Sequence, residues 1–224
     1  MGLTIHYRLS VPATNPRDDV VERFTKLHSA AALLPFALVG PLVTTPEDRS
    51  LGPESSLEAL VRLWTWLQTD VQRPVSDDDT LPDAIGFGVD VGAECEPAVF
   101  GLAWVPPRDE EGRVIQAAPS GWRWHCATKT QYASNVSEDH FVQCHMAVVA
   151  VLDEAVRLGF DVEVLDEGTY WESRDVDALR AHVRDMNHII AQFAGAVHDA
   201  VGHEHKVESP IFARRDFEHL EMKE

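Results

Sequence analysis

The chain opens on a strict alternation. Leu3, Ile5, Tyr7 and Leu9 alternate with Thr4, His6, Arg8 and Ser10, which predicts a strand with one buried face. Asn15-Pro16, with Asp18 and Asp19 close behind, carries the marks of a helix start: an Asn cap, Pro at the first helical position and early acids. Val20, Phe24, Leu27, Ala31 and Leu34 then recur at spacings of three and four, and Pro35 is expected to end the helix. Residues 36–44 read as a second strand or extended segment. Ser55 and Glu58 form a capping-box pattern ahead of a helix reaching about residue 69.

A β-rich block follows. Ile85, Phe87, Val89 and Val91 alternate with Gly86, Gly88, Asp90 and Gly92, while residues 98–105 are apolar on both faces, as a central strand requires. A hairpin turn and a weak strand near 113–117 come next. Residues 121–131 alternate again. Trp122, Trp124, Cys126 and Thr128 point one way, and Arg123, His125, Ala127, Lys129 and Gln131 the other.

Two helices close the pattern. Ser137 caps the first, and residues 140–158 are apolar nearly all round, so that helix should be buried. Residues 160–166 make a short strand. Ser173 is read as the cap of the last long helix. There Val176, Leu179, Val183, Met186, Ile190, Phe193, Val197 and Ala200 form a heptad-like seam that Gly202 stops. Ile211, Phe212 and Phe217 suggest that part of the tail docks. The element order predicts an α+β two-layer fold. Its sheet is mixed but mainly antiparallel, with about four helices packed mostly on one face. Residues 1–224 form a single domain in this reading, and the acidic loop 70–84 is the only candidate boundary.

Charge narrows the function. Lys and Arg number 19 against 37 Asp and Glu, a formal net charge of −18. Such a chain lacks the basic footprint of a nucleic-acid binder. Residues 70–113 hold eleven carboxylates and three Arg; residues 151–224 hold seventeen carboxylates and eight Lys or Arg. That surface is either solubilising or a face for a basic protein partner. The three cysteines, Cys95, Cys126 and Cys144, are odd in number and far apart, which points to a reducing, cytoplasmic setting. No signal-peptide pattern opens the chain, and Pro35 and Pro41 interrupt its longest apolar run, so no membrane partner is expected.

The candidate chemistry collects on polar strand positions. Arg123, His125, Lys129 and Gln131 share one face of their strand, and His6 and Arg8 are offered in the same manner by the first. Gly86 and Gly88 would leave backbone open to a ligand. If these strands share a sheet, the face attracts a small phosphate- or carboxylate-bearing compound. Arg123, Lys129, Gln131 and Tyr132 would hold the anion. His125 would be the acid or base, with Asp166 or Glu167, in the loop beyond a strand end, as the partner carboxylate. Exposed, solvated side chains on the strand and a simple turn before a helix explain the same residues without function.

His125-Cys126, His140, Cys144 and His145 could form a zinc site or a Cys/His nucleophile pair were they to converge; a buried thiol and a satisfied core histidine account for Cys144 and His145 more simply. His198, His203 and His205 are a weak metal pattern. No cofactor is named, since dinucleotide, P-loop, HExxH and GxSxG patterns are all missing. Two classes stay open. One is an enzyme or ligand-binding protein for a small anion. The other is an acidic protein-binding module, inhibitor or immunity-like, without catalysis. Monomer and dimer are both compatible with the last helix.

Overall fold

The computed structural model describes residues 3–45, 83–105, 121–201 and 211. The expected helix before residue 69, the strand near 113–117, most of the acidic loop 70–84, and Phe212 and Phe217 lie outside them. The described chain is an α+β fold. Strands β1 (Thr4–Val11), β2 (Leu38–Val39), β3 (Val43–Thr45), β4 (Ala84–Asp90), β5 (Ala98–Val105), β6 (Gly121–Lys129) and β7 (Asp161–Asp166) form one sheet of order β2-β4-β5-β6-β1-β7, with β3 also paired to β4. Every pairing among the described strands is antiparallel. Helices α1 (Arg17–Ala31), α2 (Glu138–Arg157), α3 (Tyr170–Ser173) and α4 (Val176–Val201) accompany it, with a 3-10 turn at Gln131–Asn135.

β1 shows why the alternation matters. Ile5, Tyr7 and Leu9 face inward opposite Thr128, Cys126 and Trp124 of β6. They join one buried cluster with Val20, Phe24 and Leu27 of α1, Phe141, Val148 and Leu152 of α2, and Leu179 and Val183 of α4. Full burial of each such side chain stabilises by roughly 1.5–3 kcal/mol relative to exposure. Buried aromatic groups with polar tips need partners. Tyr7 Oη and Trp124 Nε1 both donate to the Val99 carbonyl, at 2.8 and 3.0 Å. The Trp124 ring lies so close to β5 that a Cβ on Gly101 would sit 3.0 Å from it.

Several boundaries move. α1 begins at Arg17 with Pro16 at the cap position and no side-chain cap, and it ends at Ala31, short of Pro35. Ser137 does cap α2, accepting from the His140 amide at 3.0 Å. Ser173 ends α3 instead of capping α4. Asp175 takes the cap, its Oδ1 accepting from the Asp177 and Ala178 amides. Residues 84–89 are buried throughout, so Gly86 and Gly88 leave no open backbone.

The seam of α4 also rotates. Leu179 and Val183 are buried as expected, but Asn187, Ala191 and Ala194 follow them, and Phe193 is 64% exposed. A heptad seam stays on one face only where helices supercoil. α4 instead packs across α2 and the 3-10 turn, where Gln131 Nε2 and Ser134 Oγ both donate to Asn187 Oδ1 at 3.3 Å. Ile211 packs on Ala191 and Ala194, so at least this residue of the tail docks. No helix among the described residues is long and apolar enough to cross a membrane.

Candidate functional site

β1, β6 and β7 are neighbours, and their outward residues meet. Arg8 lies opposite His125 on one side and Glu163 on the other; Ser10 lies opposite Arg123, and His6 opposite Ala127. Four basic side chains, His6, Arg8, Arg123 and His125, therefore share one face of the paired strands. The face also carries acids. Arg8 Nη1 contacts Glu163 Oε2 at 3.0 Å, with both side chains more than half exposed. Burial lowers the pKa of His125, and the nearby Arg8 and His6 lower it further. His125 is thus held toward its neutral form, by burial first and by Arg8 and His6 after it.

The other proposed ligand groups lie elsewhere. Lys129 is six residues along β6 from Arg123, about 20 Å at ~3.3 Å per residue, so the two cannot share one small anion. Its Nζ donates to Tyr132 Oη at 3.1 Å and lies 4.5 Å from that ring's centroid. Gln131 has left the strand, which ends at Lys129, and is buried in the 3-10 turn. Its Oε1 accepts from the Leu3 amide at 3.1 Å and its Nε2 reaches Asn187. Glu167 Oε2 accepts from the Thr4 amide at 2.8 Å.

Asp166 and His125 lie on opposite faces of the sheet. Asp166 is the register partner of Ile5 and faces inward, whereas His125 is the partner of Arg8 and faces outward. Asp166 meets a different histidine. Its Oδ2 contacts His145 Nε2 at 3.0 Å, and His145 Nδ1 contacts Thr130 Oγ1 at 2.9 Å. An ionised carboxylate can only accept, which assigns a proton to Nε2 and, in the neutral ring, an acceptor role to Nδ1. Asp166 also accepts from the Gly168 amide at 2.7 Å and the Trp171 amide at 2.9 Å. Burial alone would raise its pKa; the His145 contact and the two amides outweigh this and leave it lowered.

Hydroxyl, imidazole and carboxylate stand in the order of an acid–base relay. Thr130 and His145 are nonetheless fully buried, and Asp166 is 4% exposed. The chain binds the end of β6 to α2 and to the loop after β7. Gly168 belongs to this packing, because a Cβ there would sit 2.8 Å from Leu179 and 3.0 Å from His145. The reading of His145 as a satisfied core histidine agrees with this geometry.

A separate cluster forms where the β4–β5 turn meets α2. The Cys144 sulfur lies 3.6 and 4.0 Å from the two ring nitrogens of His140, and the turn that carries Cys95 lies against it, a Cβ on Gly92 falling 3.1 Å from that sulfur. His125-Cys126 belongs to another part of the sheet: Cys126 faces the core opposite Tyr7. No group of three or more His, Cys, Asp or Glu side chains with the geometry to hold a metal occurs among the described residues. His203 and His205 lie outside them. Cys95 carries no signal in the linear sequence, since its partner lies 49 positions away (144 − 95). No protein-family model, curated protein or solved structure matches the chain.

Proposed function

We propose that the protein binds a small anionic compound, carrying a phosphate or a carboxylate, on the outward face of β1 and β6. The observation that carries this reading is the placing of His6, Arg8, Arg123 and His125 on one face of two paired strands. Crowding cations is unfavourable in itself, and a bound anion relieves it. Arg8 already takes a carboxylate from Glu163, but an exposed pair of this kind contributes only ~0–1 kcal/mol and is readily exchanged. Arg8 and Arg123 would hold the anion, with His125 as the titrating neighbour. Lys129, Gln131 and Tyr132 lie too far along the chain's path to join them. No reaction is assigned to this face.

The test is a pH titration of the His125 ring by NMR, with and without inorganic phosphate. Phosphate should raise the His125 pKa, and Arg8→Ala should abolish the rise. Glu163→Gln removes the competing carboxylate and should tighten phosphate binding by about 2–5-fold. A His125 titration unchanged by millimolar phosphate, in both wild type and Glu163→Gln, would sink the proposal.

A second reading has one observation in its favour. β7 ends the strand order, and its outward Asp161, Glu163 and Leu165 are exposed. Such an edge suits a basic, extended segment of a partner protein added as a further strand. Capture of a Lys-rich peptide that weakens steeply with salt supports it; capture indifferent to salt counts against it.

A further inference from the structure

We propose that Cys95 and Cys144 form a reversible dithiol–disulfide couple, packed beside His140 and read out by the β4–β5 turn. The β4–β5 turn that carries Cys95 lies against the Cys144 sulfur, and His140 packs over that sulfur with ring nitrogens at 3.6 and 4.0 Å. His140 Nε2 also contacts the Ala93 carbonyl at 3.0 Å. That contact places a proton on Nε2, the ring nitrogen nearer the sulfur at 3.6 Å, and leaves Nδ1 at 4.0 Å from it. Cys95 is partly exposed while Cys144 is buried, so an outside reagent meets Cys95 first.

The backbone around Cys95 is built for close approach. Gly92 has φ +148°, and a Cβ there would sit 3.0 Å from the His140 ring and 3.1 Å from the Cys144 sulfur. Glu94 has φ +62°, in the left-handed region, although it is not glycine. Backbone held in such a conformation costs on the order of 1–3 kcal/mol and persists where surrounding contacts enforce it. Here the Cys95 amide closes a turn onto the Gly92 carbonyl at 3.0 Å, and the turn sets Cys95 against Cys144. The Cys95 sulfur also lies 3.8 Å from the carbonyl of Thr130, the residue whose hydroxyl meets His145. A disulfide would tie the β4–β5 turn to α2 next to the buried network.

The two thiols divide their protons unequally. Hydrogen bonding from Cys95 lowers the pKa of Cys144, and burial and Asp90 oppose that effect. The Cys95 thiol is correspondingly raised, first by the same hydrogen bond and then by burial, with Cys144, Asp90 and Glu96 adding to it. The pair therefore loses its first proton as a unit and the charge rests mainly on Cys144; the minor form with the thiolate on the more exposed Cys95 is the one an outside reagent meets. The oxidant we name is a low-molecular-weight disulfide such as oxidised glutathione. The Cys95 thiolate attacks one of its sulfurs, the S–S bond breaks and one glutathione thiolate leaves and is protonated. Cys144 gives its proton to the departed glutathione thiolate, and its own thiolate attacks the Cys95 sulfur and expels the second glutathione, which takes a proton from solvent. The protein dithiol gives up two electrons and two protons, and one glutathione disulfide becomes two glutathiones.

The experiment uses the full chain in glutathione buffers graded from reduced to oxidised, then quenched, denatured, alkylated and weighed intact. Wild type should carry three alkyl groups at the reduced end, one on each of its three cysteines, and one at the oxidised end. Peptide mapping should then find Cys95 joined to Cys144, with Cys126 alkylated. Cys144→Ser should accumulate a stable glutathione adduct on Cys95 that wild type does not retain. Three alkyl groups across the whole range, a glutathione adduct as the wild-type end state, or a bridge through Cys126 would each overturn the proposal. The wild-type measurement decides the matter even where the variant is unstable.

Discussion

Replacing Asp166 by Asn tests whether the buried Thr130–His145–Asp166 chain holds the fold together. The carboxylate accepts three hydrogen bonds, from His145 Nε2 at 3.0 Å and from the Gly168 and Trp171 amides at 2.7 and 2.9 Å. Asn retains one oxygen, which can keep the Gly168 amide. Its NH₂ group then faces the Trp171 N–H and the His145 N–H, donor against donor. Two buried donors lose their acceptors at about 1–3 kcal/mol each, so the loss should centre near 4 kcal/mol. For a chain of this length it corresponds to a fall in Tm of about 8–16 °C.

Urea unfolding followed by circular dichroism at neutral pH measures it directly. Glu167→Gln is the control, since among the described residues that neighbouring exposed carboxylate accepts from the Thr4 amide alone. The pH dependence has a definite sign. Asp166 is lowered from its usual value of 3.8, so its contribution is fully present above that value and is lost as pH falls through the lowered one. The gap between wild type and Asp166→Asn should therefore close in acid, below about pH 4. A loss under about 1 kcal/mol at pH 7, equal to that of Glu167→Gln, would refute the reasoning.

Two further outcomes are expected. Leu179→Ala should cost about 2–5 kcal/mol, whereas Phe193→Ala, at a position 64% exposed, should stay within about 0.5 kcal/mol of wild type; equal losses in urea unfolding would restore the heptad seam. Glu138 is held at about 2, chiefly by the hydrogen bond from Arg184 and also by Arg180, against the opposing effect of burial. Its stabilising contribution is present above its usual 4.5 and is lost as pH falls through about 2, so Glu138→Gln should be less stable than wild type at neutral pH and low salt and indistinguishable near pH 2; a difference that survives acid and high salt would show that these Arg contacts do not cause it.

Much of the fold was legible in local pattern. The alternation of Leu3 to Ser10 determined β1 and its two faces, because successive strand residues must point to opposite sides. The Val20–Phe24–Leu27–Ala31 stripe and the all-round apolar 140–158 segment determined α1 and α2 for the corresponding helical reason. The gathering of His6, Arg8, Arg123 and His125 was also latent there, as each sits at an outward position of its own strand, and pairing β1 with β6 was enough to join them.

What tertiary structure alone decided were the partners across long separations. Asp166 turned inward because its register position opposite Ile5 faces the core, and so it met His145 instead of His125. Gln131 left the outward face because β6 stops at Lys129 and the chain winds into a turn that buries its amide against Asn187. Cys95 found Cys144 only because the β4–β5 turn lies against α2. Periodicity specifies which face a residue occupies within its own element, since that depends on local backbone geometry. Which two elements bring their faces together depends on register and on the packing of the whole core, and no short stretch of sequence carries that information.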